Sequence, residues 1–211
     1  GKITTPVHVV DKATKLQTIF DRIHLIDTRF EIVRRDEELA MLRAIAAGTP
    51  RAEAEGAAQT RLLQLDADRD FLRHVNVGSE AMLATDQARV REISQRYRWH
   101  NPQGETVDFL SDNEIENLTI RAGTLTQAER EIINYHIVAT IKMLESLPWP
   151  KHLRHVPEYA GGHHERMDGK GYPKGLKRDE MSVQARIMGI ADIFEALTAR
   201  DRPYKPALKI S

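Results

Sequence analysis

His163 and His164 stand side by side, followed at once by Glu165 and then by the turn Asp168-Gly169-Lys170-Gly171-Tyr172-Pro173. Neutral imidazole is a ligand for iron, manganese and zinc. Neighbouring residues on a helix diverge by only about 100°, so two adjacent imidazoles can reach two adjacent ions. A solvated pair in a loop is the competing reading. His136 lies 27 residues earlier (163 − 136), among Ile132, Ile133, Ile137 and Thr140. Taken alone, it reads first as a core histidine satisfied by a hydrogen bond. Asp192 lies 29 residues later (192 − 163), in Gly189-Ile190-Ala191-Asp192-Ile193-Phe194. A carboxylate buried among apolar residues needs a cation, supplied by an arginine or by a metal. His136, His163, His164 and Asp192 sit on successive predicted helices. Antiparallel packing would bring all four into one bundle core, the way helical proteins hold two metal ions.

The turn after the histidines carries its own chemistry. Gly169 and Gly171 are free to take positive φ, and Pro173 sets the exit. Tyr172, framed by them, offers an aromatic face for a base or sugar, or packs inward. Residues 151–205 hold eleven Lys and Arg against eight Asp and Glu. Arg202 and Lys205, in Asp201-Arg202-Pro203-Tyr204-Lys205, suit an anionic group. His24, His74, His100, His152 and His155 lack a telling partner and read as surface or packing residues.

The elements that must position these groups read as helices. Residues 127–147 have an apolar face of Ile132, Ile133, His136, Ile137, Thr140, Leu144 and Leu147. A short helix is predicted over 151–164, and another over 183–199 around Val183, Ile187, Ile190, Ala191, Phe194 and Leu197. Ser111…Glu114 and Thr126…Glu129 fit capping boxes. Upstream, Leu16, Ile19, Ile23, Ile26, Phe30 and Val33 form a coiled-coil-type seam, predicting one long helix over 11–47. Gly48-Thr49-Pro50 stops it, and an Ala-rich helix over 51–66 completes a hairpin. Shorter helical pieces are predicted over 67–100, with a turn at Asn101-Pro102-Gln103-Gly104. No segment alternates for long with period two. The expected fold class is all-α.

Composition removes several function classes. The 31 Lys and Arg balance 31 Asp and Glu, so there is no general footprint for duplex nucleic acid or an anionic membrane. There is no cysteine, which excludes disulfides and thiolate metal sites. No apolar run approaches the roughly 18 residues of a membrane span, and no signal peptide is legible, so a cytoplasmic location is expected. No Ser-His-Asp or Cys-His nucleophile arrangement is evident.

HHERMDGKGYP (163–173) followed by ARIMGIADIFEALTARDRPYK (185–205) closely resembles the HD-GYP domain, a branch of the HD superfamily of metal-dependent phosphohydrolases. GTLTQAEREIINYH (123–136) resembles the stretch before the paired histidines in that family. The opening Gly1-Lys2-Ile3-Thr4-Thr5-Pro6 resembles the end of its His-Asp-x-Gly-Lys motif, which puts the expected His-Asp just upstream. The resemblance implies three regions: a motif remnant over 1–10, a helical insertion over 11–110, and the C-terminal part of the catalytic core over 111–211. It implies a helical bundle holding a di- or trinuclear metal centre of iron or manganese. His136, His163, His164 and Asp192 would be metal ligands, and Glu165 and Asp168 outer partners of that centre. Lys2, Tyr172, Arg202 and Lys205 would contact substrate, with Lys2 and Asp192 in the catalytic machinery. The spacing from Asp192 to Arg202 is one residue longer than usual. The implied activity is hydrolysis of cyclic di-GMP to pGpG or GMP in bacterial second-messenger signalling, with the fragment dependent on the upstream His-Asp. The alternative is an inactive module that binds the nucleotide or a signalling partner through the GYP loop. By analogy with signalling stalks, the insertion seam is an expected homodimer contact, unless it packs internally as a hairpin.

Overall fold

The computed structural model describes residues 5–199. Its elements, in order, are α1 (Val7–Val10), α2 (Ile23–Ala46), α3 (Arg51–Asn76), α4 (Ala84–Arg96), β1 (Arg98–His100), β2 (Thr106–Asp108), α5 (Asp112–Leu118), α6 (Gln127–Glu145), α7 (Val156–Gly161) and α8 (Val183–Thr198). The fold is all-α apart from one short hairpin. The described residues form two compact units, one of 12–126 and one of 5–11 with 127–199.

In the 12–126 unit, α2 and α3 form an antiparallel hairpin around Gly48, whose φ of 103° lies in the left-handed region open to glycine. Ion pairs record the register: Asp27 with Arg73 at 2.9 Å, Glu31 with Arg69 at 3.7 Å, Arg34 with Asp66, and Glu37 with Arg61 at 2.5 Å. Such exposed pairs add little energy each. Stability comes from the apolar seam. Ile23, Ile26, Phe30 and Val33 of α2 are buried with Leu65 and Leu72 of α3, Val90 and Ile93 of α4, and Phe109. Phe30 packs edge to face on Tyr97 and Phe109, which are tilted against each other, with centroids 4.6–5.9 Å apart. From Ile23 to Val33 the seam is therefore buried within this unit.

Three expectations are corrected here. The long helix over 11–47 begins only at Ile23, and Ile19 is 92% exposed. Local polar groups outcompete helix upstream: the Ala13 N–H donates to Gln17 Oε1 at 2.7 Å, and the Thr14 hydroxyl to Asp21 at 2.7 Å. The second helix runs on to Asn76 rather than stopping near 66. The turn at Asn101–Gly104 proves to join two three-residue strands, pairing Trp99 with Val107. Asn101 Oδ1 accepts the N–H groups of Gln103 and Glu105. Strands this short leave no readable alternation. Ser111 and Glu114 do form the predicted capping box at the start of α5.

Asp68 on α3 is fully buried. Its carboxylate accepts from Gln64 at 3.1 Å, Arg89 at 3.2 Å, the Tyr97 hydroxyl at 2.9 Å, and Arg96. This network ties α3 to α4, and burial beside Asp68 pushes the Tyr97 phenol well up. Asp68→Ala removes the buried acceptor shared by Gln64, Tyr97 and two partly exposed arginines, so it should cost about 2–3 kcal/mol. Urea unfolding followed by far-UV circular dichroism measures this, and a loss under about 1 kcal/mol would contradict the reading.

Candidate metal centre

In the second unit, α7 packs on α6 and α8 packs on α7. A Cβ on Gly162 would stand 2.7 Å from the Ala185 Cβ, so only glycine lets the end of α7 approach α8 this closely. The chain then delivers His163 and His164 beside His136 of α6. The three imidazoles offer one nitrogen each, all within 4.8 Å of one another. Ring centroids lie 4.2 Å apart for His163–His164, 5.0 Å for His136–His164 and 6.3 Å for His136–His163.

Backbone carbonyls orient two of the rings. His136 Nδ1 lies 2.6 Å from the Ile133 carbonyl, and His163 Nδ1 lies 2.6 Å from the Ala160 carbonyl. Each Nδ1–H donates there, which leaves Nε2 as the free ligand atom, an arrangement common among metal-binding histidines. His164 Nε2 stands 3.1 Å from His136 Nε2. Two nitrogens on one tetrahedral ion, each about 2.0–2.1 Å from it, would stand about 3.3 Å apart, so the pair already has ligand spacing. Burial lowers the His164 pKa to about 4, helped by His163 and His136, with Asp192 opposing weakly. His164 is thus held neutral and ready to donate its lone pair. This donor set fits a divalent cation.

Asp192 is placed differently from the expectation. Its Oδ2 lies 3.9 Å from His164 Nδ1, on the side of the ring away from His136, and its side chain is 46% exposed. The predicted burial fails because α8 leaves Ile187, Ile190, Ile193 and Phe194 exposed among the described residues. Desolvation therefore does not force a cation onto Asp192.

The loop is held from within. Glu165 is buried, and its carboxylate accepts the N–H groups of Lys174 at 2.6 Å and Leu176 at 2.8 Å. Asp168 accepts from Lys170 N–H at 3.0 Å and from Arg166 at 2.7 Å; its pKa is lowered first by the Lys170 bond. Gly171 packs on the backbone of Glu165 and Arg166, where a Cβ would come within 2.3 Å. The Tyr172–Pro173 bond is cis. Tyr172 stacks on His164, centroids 4.9 Å apart and planes 18° apart. That face of Tyr172 covers the histidine, so only the other is open to a ligand. Lys2, Arg202 and Lys205 lie outside the described residues. Sequence reasoning missed the carbonyls of Ile133 and Ala160, whose only signal is their position three residues before each histidine.

The lowered His164 pKa makes a direct prediction for the metal-free chain. The unfolded imidazole takes up its proton near pH 6.5, the folded one only near pH 4. Stability linked to the neutral ring is complete above about pH 6.5 and is lost as pH falls toward 4. Proton NMR should show the His164 Cε1–H titrating near pH 4; a midpoint near 6.5 would contradict the geometry.

A family model described as an HD domain matches residues 67–211. The 3'3'-cGAMP-specific phosphodiesterase 3 of Vibrio cholerae is 42% identical over 90 residues, covering 43% of this chain and 19% of that protein. A cyclic di-GMP phosphodiesterase of Thermotoga maritima is 39% identical over 90 residues, 43% of this chain and 24% of its own length. The cyclic di-GMP phosphodiesterase response regulator RpfG of Xanthomonas campestris is 34% identical over 92 residues, 44% and 24% of the two chains. The matched stretch spans between about a fifth and a quarter of these relatives, and their names agree with the HD-GYP resemblance. With three clustered imidazoles and a match over more than half its length, the chain belongs to the HD domain family.

Proposed function

We propose that this chain carries the metal-binding part of a phosphodiesterase that hydrolyses a guanine-containing cyclic dinucleotide, cyclic di-GMP foremost, to pGpG or GMP. The observation that carries the proposal is the meeting of His136, His163 and His164 within 4.8 Å. Relatives named for cyclic di-GMP and cGAMP hydrolysis support the substrate class. In this scheme residues 11–110 are a helical insertion, a reading that the separate compact unit of 12–126 supports, while the HD family match takes in its part from residue 67 onward.

Iron or manganese suits the imidazole and carboxylate donors, since the chain has no thiolate to favour a softer site. When bound, the ions would supply a hydroxide near neutral pH and polarise the phosphoryl oxygens. The chain's own residues do the rest. Ile133 and Ala160 aim two imidazoles, Tyr172 screens one face of the third, and Asp192 stands beside its outer nitrogen. Glu165 fixes the loop that carries Tyr172. Lys2, Arg202 and Lys205 are assigned to the charge on the phosphate, following the family resemblance.

The test is to purify the protein without chelator, quantify bound iron and manganese, and follow cyclic di-GMP turnover by chromatography. His136→Ala and His164→Ala should lower both metal content and turnover, the latter by at least roughly 100-fold. Unchanged metal content in both variants would overturn the assignment. Nucleotide binding with no turnover in a metal-loaded protein that carries the His-Asp pair would make it a binding module instead.

A further inference from the structure

The torsion that swings a histidine ring is broad, so each imidazole of the cluster needs a neighbour to fix it. His136 and His163 have one each, a carbonyl three residues upstream held 2.6 Å from Nδ1. His164 is different. Among the described residues its Nδ1 makes no hydrogen bond, and Asp192 Oδ2, at 3.9 Å, stands beyond hydrogen-bond reach. Its Nε2 is nevertheless set 3.1 Å from that of His136, at ligand spacing. Of the rings around it among the described residues, His136 meets it edge-on at 89° and His163 is tilted by 44°. Only Tyr172 lies flat against it, with planes 18° apart and centroids 4.9 Å apart. Turning the imidazole about its torsion would drive a ring edge into the tyrosine face, so the stack holds it in one orientation.

Tyr172 must itself be held for this to work. It lies eight residues downstream of His164 (172 − 164), and the loop carries it back. The Tyr172 N–H donates to the His164 carbonyl at 3.3 Å. Just before it, Gly171 crosses the Glu165 backbone, where a Cβ would stand 2.5 Å from the Glu165 Cα. Just after it, the buried Glu165 carboxylate accepts the N–H groups of Lys174 at 2.6 Å and Leu176 at 2.8 Å. The loop is thus pinned to residues 164–166 on both sides of Tyr172. Among the described residues the Tyr172 hydroxyl makes no hydrogen bond, so the ring carries the contact.

Resting on the metal-centre reading above, we infer that Tyr172 and Glu165 are positioning residues: Tyr172 aims the His164 ring by stacking on it, and Glu165 holds Tyr172 in place. Metal affinity then depends on a loop that supplies no ligand. A Tyr172 that served only as an aromatic face for substrate would leave metal binding unchanged when its ring is removed.

The test titrates the full chain with manganese and follows the electron paramagnetic resonance of the free ion. Tyr172→Phe keeps the ring and should bind within about twofold of wild type. Tyr172→Leu keeps apolar bulk without the ring and should bind about 10–100-fold more weakly. Glu165→Gln leaves Tyr172 in place but turns an amide NH2 toward one of the two loop N–H groups, and should lose at least about threefold. In the metal-free chain, the nuclear Overhauser effect between the ring protons of His164 and His136 should persist in wild type and Tyr172→Phe and vanish in Tyr172→Leu. Wild-type manganese affinity in Tyr172→Leu, or equal losses in Tyr172→Phe and Tyr172→Leu, would overturn the inference. Should Tyr172→Leu fail to fold, Glu165→Gln decides, and wild-type affinity in that variant would overturn it. A wild type that binds no manganese while the Overhauser effect follows this pattern would remove the metal reading and keep the positioning role. Manganese bound equally by wild type and Tyr172→Leu, and lost in His136→Ala, would do the reverse.

Discussion

One nitrogen from each of three imidazoles lies within 4.8 Å of the others. A proton on His164 would be partly buried, away from the water that would screen it, and would face two further rings. That constraint organises the second unit. It keeps His164 neutral, it leaves two Nε2 atoms facing each other at 3.1 Å, and it makes a divalent cation the natural occupant of the space between them. The backbone was shaped to maintain the crowding. Carbonyls three residues upstream lock two rings, and Gly162 lets α7 and α8 close until adjacent histidines reach a helix 27 residues away.

The GYP loop follows from the same requirement. A loop placed over a crowded donor set must not add another competing charge or drift away. Glu165 spends both carboxylate oxygens on backbone N–H groups of the loop, so a negative charge beside the site is neutralised by structure. Tyr172 covers His164 with an aromatic face, which limits water on one side without supplying a new ligand. The long helical hairpin in the other unit is stabilised by its own seam and by the Asp68 network, and needs no contribution from the histidines.

Much of this was legible in the residues. The spacing of Ile133, His136, Ile137 and Thr140 specified α6, and the adjacency of His163 and His164 marked the pair that meets His136, because helix period and residue type are local properties. The start of α2 was not legible. Thr14, Gln17 and Asp21 form alternative hydrogen bonds that break an otherwise helical apolar rhythm, and a hydrophobic pattern carries no trace of them. The strands around Asn101 were too short to alternate. Asp192 was misread as buried because apolar neighbours in sequence do not guarantee burial; on α8 those neighbours are themselves exposed.

The central claim is that imidazole nitrogens of this chain bind the metal directly. X-ray absorption at the manganese edge of the manganese-loaded protein measures the ligand shell without reference to turnover. The account predicts the multiple-scattering signature of at least two imidazole rings about each occupied site. A shell of oxygen ligands alone, with no imidazole scattering, would contradict it.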